Sequence, residues 1–435
     1  MDRQRIKFPY GRSELEVEIP SENFMGVLKS IDPPGVNDER AEIERSLKEP
    51  IGTETIGKMV SPSDKIALII SDKSRPVPNN LIVPSLLDVL EKAQVARRNI
   101  KIIVALGMHQ KMSKNEMISM LGADIVKSYD VRNHDCFDQD GLTFIGTTPG
   151  GTKVEINKLV AEADFVISTG YIEPHEFAGF TGGRKSILPG VSGIEAIKWN
   201  HRIEMLENRK AKPGILDNNP IHEDMLYACG MVGLDYIVNV VLNSRNEIAR
   251  CFSGDYKKAH EAGVAFFEKY SKIEVSEQAD IVITSLGYPT NRDLYQSVKA
   301  VFAVEPLIKD GGCIILPAKC EDGLGPDLFE EWMTTVSFPE EFFSKIEQEG
   351  YSPKIDHCYF LAKILKKAHL IVVSSHPRVK DIDFIESVGD IEQALSIAFQ
   401  RTGKDAKIIA TPYSTRLLLS DRDRNDGERI GSRES

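Results

Sequence analysis

Short apolar runs alternate with helical segments along most of this chain, and this alternation constrains the fold more than any other feature. From Lys65 the order is the apolar run "KIALIISD", the helical "NLIVPSLLDVLEKAQV", the apolar run "IKIIVALG" and the helical "SKNEMISMLG". Uninterrupted apolar runs are typical of strands that are buried on both faces, as in parallel sheets covered by helices. The pattern therefore predicts a doubly wound α/β fold.

The same alternation returns after a polar junction near residues 273–278. The strand-like runs "ADIVITS", "GGCIILPA", "AHLIVVSS" and "AKIIATPY" are separated by helical segments. A chain of 435 residues is also longer than one hydrophobic core usually serves. We therefore predict two α/β domains with Rossmann-like, mostly parallel sheets, over 1–272 and 279–413. The charged, aperiodic residues 420–435 are predicted to be a disordered tail.

Three segments depart from the parallel pattern. "IKFPYGRSELEVEIP" predicts a hairpin that turns at residues 10–13, "LTFIGTTPGGTKVEINKLV" holds a Pro-Gly-Gly turn between two strand-like runs, and "YIVNVVLNSRNEIARCFSGD" predicts another hairpin. After Gly193, "IEAIKWNHRIEMLEN" predicts one continuous helix.

Charge and composition exclude some classes of protein. The net charge of −11, from 54 basic and 65 acidic residues, argues against nucleic acid as a partner. No run reaches the ~18–20 apolar residues of a membrane span, and "MDRQRIKFPYGRS" lacks the apolar stretch of a signal peptide. The prediction is a cytoplasmic protein without a membrane partner. The six scattered cysteines form no C-x-x-C pair, which predicts reduced, mostly buried thiols.

Unusual residues follow three predicted strands of the first domain, in "SDKSRPVP", "GMHQ" and "GYIEPHEFAGFTGGRKS". Ligands of doubly wound sheets bind where the carboxyl ends of parallel strands meet. We therefore expect a shared site at this edge, formed by Asp72, Arg75, His109, His175 and Lys185. His201, on the helix after the glycine loop, is a further candidate.

The glycine loop resembles a P-loop only in part. "GFTGGRKS", from Gly179, fits G-x-x-x-x-G-K-[ST] except that Arg184 replaces the second glycine, where a side chain would crowd the backbone cradle. A nucleotide-dependent phosphotransferase with a variant P-loop is therefore the weaker alternative. No strand is followed by G-x-G-x-x-G. The glycines still offer backbone N–H groups to a phosphate.

The histidines allow two interpretations. Imidazole exchanges protons near neutral pH, so a pair of histidines around a substrate carbon suggests acid–base catalysis from opposite faces. Metal ligation by some of the same histidines is the other interpretation, and the spacing of His109, His175 and His201 does not decide between them. A non-catalytic protein that binds a small anion is a third hypothesis. The histidines interpreted as structural are His134, His222, His260, His357, His369 and His376.

Five motifs in order, "SDKSRP", "ALGMHQ", "EPHEFAGFTGGRKSILPG", "WNHR" and "YQSVKA", resemble the nickel-dependent lactate racemase family over nearly the whole chain. The resemblance implies a nickel-pincer nucleotide, the nickel complex of pyridinium-3,5-bisthiocarboxylic acid mononucleotide, attached to Lys185 as a thioamide. It implies that His201 ligates the nickel. The cofactor phosphate would rest on the loop residues Gly179, Gly182, Gly183 and Arg184.

The resemblance also implies a reaction, the interconversion of the two configurations at C2 of a 2-hydroxy acid through a 2-keto acid. His109 and His175 would be the two bases, and the C2 hydride would pass to the cofactor and back. Asp72 would lie at the cofactor site and orient Arg75 or His109. The implied partners are a small 2-hydroxy-acid substrate and the proteins that assemble the cofactor and insert nickel.

Arg75 and Lys299 match positions that bind the substrate anion, where a guanidinium suits a carboxylate. Tyr295 and Gln296, one helical turn before Lys299, would line the pocket from the second domain. The active site would then lie in the cleft between the domains, a frequent place for small-ligand sites.

Overall fold

The computed structural model describes residues 2–288, 290–349 and 355–421. It divides the chain into two compact units. One is the central unit, Asp32–Tyr270, and the other is the terminal unit, which joins the described residues of 1–31 to those of 271–435. This division differs at the N-terminus from the predicted domain over 1–272.

The strands in the described ranges are β1 (Arg3–Tyr10), β2 (Ser13–Pro20), β3 (Phe24–Val27), β4 (Ile66–Ser71), β5 (Ile100–Ala105), β6 (Asp130–Asn133), β7 (Leu142–Thr147), β8 (Lys153–Asn157), β9 (Phe165–Tyr171), β10 (Pro174–His175), β11 (Gly179–Phe180), β12 (Leu234–Leu242), β13 (Ile248–Gly254), β14 (Lys272–Val275), β15 (Ala279–Thr284), β16 (Ile308–Pro317), β17 (His369–Val373), β18 (Glu386–Val388), β19 (Ile408–Thr411) and β20 (Leu418–Asp421).

The α-helices in the same ranges are α1 (Glu39–Lys48), α2 (Ile56–Met59), α3 (Asn79–Lys92), α4 (Lys114–Leu121), α5 (Ala123–Ser128), α6 (Lys158–Ala161), α7 (Ile194–Asn200), α8 (Ile203–Leu206), α9 (Pro220–Val232), α10 (Lys258–Ser271), α11 (Leu294–Ser297), α12 (Lys299–Val304), α13 (Asp327–Thr335), α14 (Glu341–Glu349), α15 (Asp356–Leu365) and α16 (Ile391–Thr402).

The central unit is built on a six-stranded sheet in the order β13-β12-β9-β4-β5-β6. Its strands are parallel except β13, which forms the predicted antiparallel hairpin with β12. Residues 66–70 of β4 are all buried, as their apolar run predicts. The Pro-Gly-Gly segment also forms its predicted hairpin, β7 with β8. The parallel α/β architecture predicted for this part of the chain is confirmed.

The terminal unit holds a second six-stranded sheet, in the order β18-β17-β16-β15-β19-β3, and all of its pairs are parallel. The predicted β1–β2 hairpin is present, and its Phe8, Val17 and Ile19 join the apolar core of this sheet with α16. The N-terminal residues belong here because β3 pairs with β19, a contact between distant parts of the chain that local sequence patterns do not reveal.

Two further predictions concern the tail and the thiols. Most of the predicted tail, 420–435, lies outside the described residues, while β20 continues to Asp421 and pairs with β14. The six cysteines, all within the described ranges, are buried and free, as predicted. None of the helices in these ranges combines the length and apolar character needed to cross a bilayer.

Candidate active site

Three neighbouring parallel strands of the central unit, β9, β4 and β5, deliver the predicted residues to one edge of the sheet. Asp72 directly follows β4, His109 lies just beyond β5, and His175 lies just beyond β9. Parallel strands end at the same edge, so the loops that follow them converge. The structure therefore places Asp72, His109 and His175 at the one edge where the sequence placed them.

Asp72 and His109 form a hydrogen-bonded pair. The Nδ1–H of His109 donates to Oδ2 of Asp72 over 2.7 Å, and the backbone N–H of Ser74 donates to Oδ1 over 2.6 Å. Burial raises the pKa of Asp72, but the bond to His109 and those from Ser74 outweigh it and lower the pKa to about 2. With Nδ1 engaged in this bond, the Nε2 of His109 carries the lone pair and can accept a proton.

Arg75 is half-buried beside the same carboxylate. Burial lowers its pKa, but the interaction with Tyr171 and the charges of Asp72 and Glu176 outweigh burial and raise it. Arg75 is therefore a fixed cation at this edge of the sheet. The sequence left open whether Asp72 orients Arg75 or His109, and the side-chain hydrogen bond of Asp72 goes to His109.

The loop that follows β9 is held by hydrogen bonds within the loop and to β12. Gly179, Gly182 and Gly183 all have positive φ, and a Cβ at Gly182 would collide with the side-chain oxygen of Asn239. The N–H of Gly183 donates to that same oxygen over 2.9 Å, and the N–H of Lys185 donates to the carbonyl of Gly182. The N–H of Gly183 therefore bonds to the protein itself, whereas the sequence suggested a phosphate as its partner.

Arg184 corrects a second expectation about this loop. The side chain is 1% exposed, and its Nη2 donates to the carbonyls of Ala178 and Phe180 over 2.5 and 2.7 Å. Its Nη1 donates to the carbonyl of Gly182 over 3.2 Å. Burial lowers the pKa of Arg184 to about 9, which leaves it charged at neutral pH. The guanidinium therefore shapes the loop from inside and does not crowd a P-loop cradle.

Replacing Arg184 with methionine is expected to lower the free energy of unfolding by about 3 kcal/mol, because buried carbonyls of the loop lose their donors. Chemical denaturation of the two proteins measures the change. Arg40→Met is the matched control, because Arg40 is exposed on α1 and should change stability by less than about 0.5 kcal/mol. Equal stabilities of the Arg184 and Arg40 variants would contradict the assigned role.

The ring of Phe177 lies beside three of the predicted residues, although Phe177 itself was not predicted. Its ring meets the imidazoles of His175 and His201 edge to face, with centroids 4.6 and 5.0 Å apart. The Nζ of Lys185 lies 5.9 Å from the centre of the same ring. The only sequence signal for Phe177 was its place in the glycine-rich loop, two residues after His175.

His201 ends a helix instead of lying within one. The continuous helix predicted after Gly193 is broken, because α7 ends at Asn200, His201 caps it, and α8 begins at Ile203. The Nδ1–H of His201 donates to the carbonyl of Ile197 over 3.0 Å, which leaves Nε2 unprotonated. Burial, together with the charge of Lys185, lowers the pKa of His201 to about 3. The imidazole is therefore neutral.

This state of His201 suits a metal ligand. Ligating histidines usually donate the other ring N–H to a carbonyl or carboxylate, as His201 does to Ile197. In the described ranges no group of three or more His, Cys, Asp or Glu side chains is arranged to hold a metal ion. A metal at His201 would thus need most of its ligands from a bound group, which is what a pincer cofactor provides. The residues present fit such a cofactor.

The remaining predicted residues lie in the terminal unit, after β15. Tyr295 and Gln296 are in α11, which Asp293 caps by accepting the N–H of Gln296 over 2.7 Å, and Lys299 begins α12. The ring of Tyr295 stacks on His357 with centroids 3.9 Å apart, and His357 Nδ1 lies 2.8 Å from the Tyr295 carbonyl oxygen. His357 therefore supports Tyr295.

Known proteins match this chain over nearly its whole length. Residues 10–214 match the family model described as "Lactate racemase N-terminal domain", and residues 275–417 match "Lactate racemase C-terminal domain". A lactate racemase from Thermoanaerobacterium thermosaccharolyticum is 38% identical over 426 residues, 96% of this chain and 99% of that protein. A lactate racemase from Lactiplantibacillus plantarum is 35% identical over 427 residues, 95% of this chain and 99% of that protein.

Solved structures agree with the sequence matches. The lactate racemase apoprotein from Thermoanaerobacterium thermosaccharolyticum superposes with a TM-score of 0.90 at 38% identity, over 96% of this chain and 100% of that one. A protein from Thermotoga maritima superposes with a TM-score of 0.68 at 16% identity, over 91% of this chain and 100% of that one. At that identity the second likeness concerns the fold alone.

Proposed function

Because this chain belongs to the lactate racemase family and is an isomerase of 2-hydroxy acids, we propose that it inverts C2 of its substrate with a nickel-pincer nucleotide attached to Lys185. The observation that carries the proposal is His201, a buried neutral imidazole whose Nδ1–H is bound by a carbonyl and which shares a ring neighbour, Phe177, with Lys185. When bound, the cofactor supplies the acceptor and donor for the C2 hydride. Lys185 would hold it covalently and His201 through the metal.

His109 and His175 are proposed to act as the two bases. One imidazole takes the hydroxyl proton of the substrate as C2 is oxidised to the carbonyl. The other, which begins the turnover protonated, gives its proton to the oxygen once the opposite face of C2 is reduced, so the two exchange protonation states. The bond from His109 to Asp72 supports this role, because the carboxylate fixes the tautomer and stabilises the imidazolium that forms. His175 lies beside the carboxylate of Glu176, with Nδ1 and Oε2 3.4 Å apart.

The substrate carboxylate is proposed to bind Arg75, whose raised pKa keeps the guanidinium charged at neutral pH. Lys299, Tyr295 and Gln296 are proposed to bind the substrate as well, as a cation and two hydrogen-bonding side chains that follow one another in α11 and α12. This set recognises the anion and the C2 hydroxyl. Substrates of this class differ in the group attached to C2, so contacts with that group would select among them.

The test uses protein produced together with the cofactor-assembly and nickel-insertion proteins that we propose as its partners. D- and L-lactate are supplied first, then malate, longer 2-hydroxy acids and aldonic acids, and the products are separated by chiral chromatography. We expect inversion at C2 of at least one of these acids by nickel-loaded protein. Protein that carries nickel and the Lys185 adduct but inverts none of them would contradict the proposal.

A further inference from the structure

The β7–β8 hairpin interrupts the α/β alternation, and the proposed function leaves it unused. It closes in a tight turn, which we call the threonine turn, over residues 148–152. Within it the N–H of Thr148 donates to the carbonyl of Thr152, and the N–H of Thr152 donates to Oγ1 of Thr148, over 3.0 and 3.1 Å. Gly151 has a φ of +84°, which favours glycine at that position.

A buried carboxylate joins this turn to the end of α7. Asp224, in α9, is 3% exposed and accepts from the hydroxyls of Thr148 and Thr152, the latter over 2.6 Å. It also accepts from Nδ2 of Asn200 over 2.7 Å. Because the buried carboxylate is satisfied by neutral donors, each of these bonds is costly to break. Asn200 is the residue directly before His201.

The same turn also binds the residues around Asn200. The indole N–H of Trp199 donates to the carbonyl of Gly150 over 3.0 Å, and Nη2 of Arg202 donates to that carbonyl over 3.3 Å. There is no space for larger residues, because a Cβ at Gly150 would lie 2.8 Å from Oδ1 of Asp224. Both neighbours of His201, and the residue before them, are thus bonded to the threonine turn or to Asp224.

We propose that the threonine turn and Asp224 form a brace that positions His201 for the metal. The inference rests on the proposed function, in which His201 is the nickel ligand. A metal–ligand bond tolerates only small displacements, so the groups that hold a ligand govern how tightly the metal stays bound. His201 caps the end of α7 and lies outside both α7 and α8, so no continuous helix fixes it from both sides. The brace supplies the missing constraint through three hydrogen bonds, two to the carbonyl of Gly150 and one to Asp224.

The test measures nickel loss from the loaded enzyme. Asp224→Asn replaces an acceptor with an amide that cannot accept from Thr148, Thr152 and Asn200 all at once. We expect folded Asp224→Asn protein to lose nickel to EDTA about 10-fold faster or more, while intact mass still shows the cofactor on Lys185. Thr152→Val, which removes one hydroxyl at nearly constant volume, should act in the same direction, and Thr152→Ser should behave like the parent.

Asp235→Asn is the matched control, because Asp235 is a half-buried carboxylate of the same unit that accepts the N–H of Val166 over 2.8 Å. It should keep nickel as the parent does. Unchanged nickel loss from Asp224→Asn would overturn the brace, and so would loss of nickel and adduct together with a lowered melting temperature. If the parent protein carries neither nickel nor the adduct, the proposed function fails, and the brace fails with it. If the parent carries both and the variants lose nickel at the parental rate, the brace alone is refuted.

Discussion

Lys185→Ala protein, produced with the cofactor-assembly proteins, is expected to fold and to carry neither the cofactor mass nor nickel. Alanine has no amine with which to form the thioamide, and His201 alone is a weak anchor for a metal. The adjacent loop should keep its shape, because the internal bonds come from Arg184 and from backbone groups. Intact mass spectrometry and metal analysis of the purified protein measure both quantities.

Lys198→Ala is the control for this experiment, since Lys198 lies on α7 and its closest acidic contact is the surface carboxylate of Glu195. That variant should retain both the adduct and nickel. A Lys185→Ala protein that keeps the adduct and the metal would place the covalent attachment elsewhere. Loss of the adduct with full retention of nickel would instead contradict the dependence of metal binding on the cofactor.

His109→Gln and His175→Gln are each expected to lower the rate of C2 inversion by roughly 10²–10⁴-fold, because glutamine keeps a polar group but cannot take up a proton. Nickel content and the mass of the Lys185 adduct should not change, since neither histidine is assigned to the cofactor. Chiral chromatography of reactions started from each enantiomer measures the rate.

His369→Gln is the matched control, because His369 is exposed at the start of β17 in the other unit. It should invert substrate at the parental rate. Parental rates from both His109→Gln and His175→Gln would exclude the two-base scheme. A loss that appears in only one of them would reduce the scheme to a single base.

Much of the fold could be predicted because the governing signals are local. The apolar run of β4 and the alternation of strands with helices depend on residues close together in the chain, and so do the three hairpins. The edge that gathers Asp72, His109 and His175 was also predictable, because all parallel strands of a sheet end on the same side. The order of the strands decides only which of the loops there are neighbours. These side chains were identified by residue type and position alone.

Other features depend on strand pairing, on side-chain direction and on helix ends that only the folded chain fixes. The sequence predicted that β3 belongs to the first domain, whereas β3 pairs with β19 in the sheet of the terminal unit. It assigned Arg184 to the cofactor phosphate, whereas the guanidinium donates to four carbonyls of its own loop. It continued a helix through His201, whereas the helix ends there. Residue type does not state the direction of a side chain, and helix propensity does not state where tertiary bonds stop a helix.

By itself, therefore, the sequence determined the α/β class, the hairpins and the residue types that meet at one sheet edge, because hydrophobic periodicity and strand ends are short-range properties. Only the tertiary structure decided that Arg184 shapes the loop, that Phe177 joins His175, Lys185 and His201, and that Asp224 links the threonine turn to Asn200. The contacts of Arg184 and Phe177 depend on the direction of side chains within one stretch of chain, and those of Asp224 with Thr148 and Thr152 join segments more than 70 residues apart. Such contacts exist only once the chain has folded.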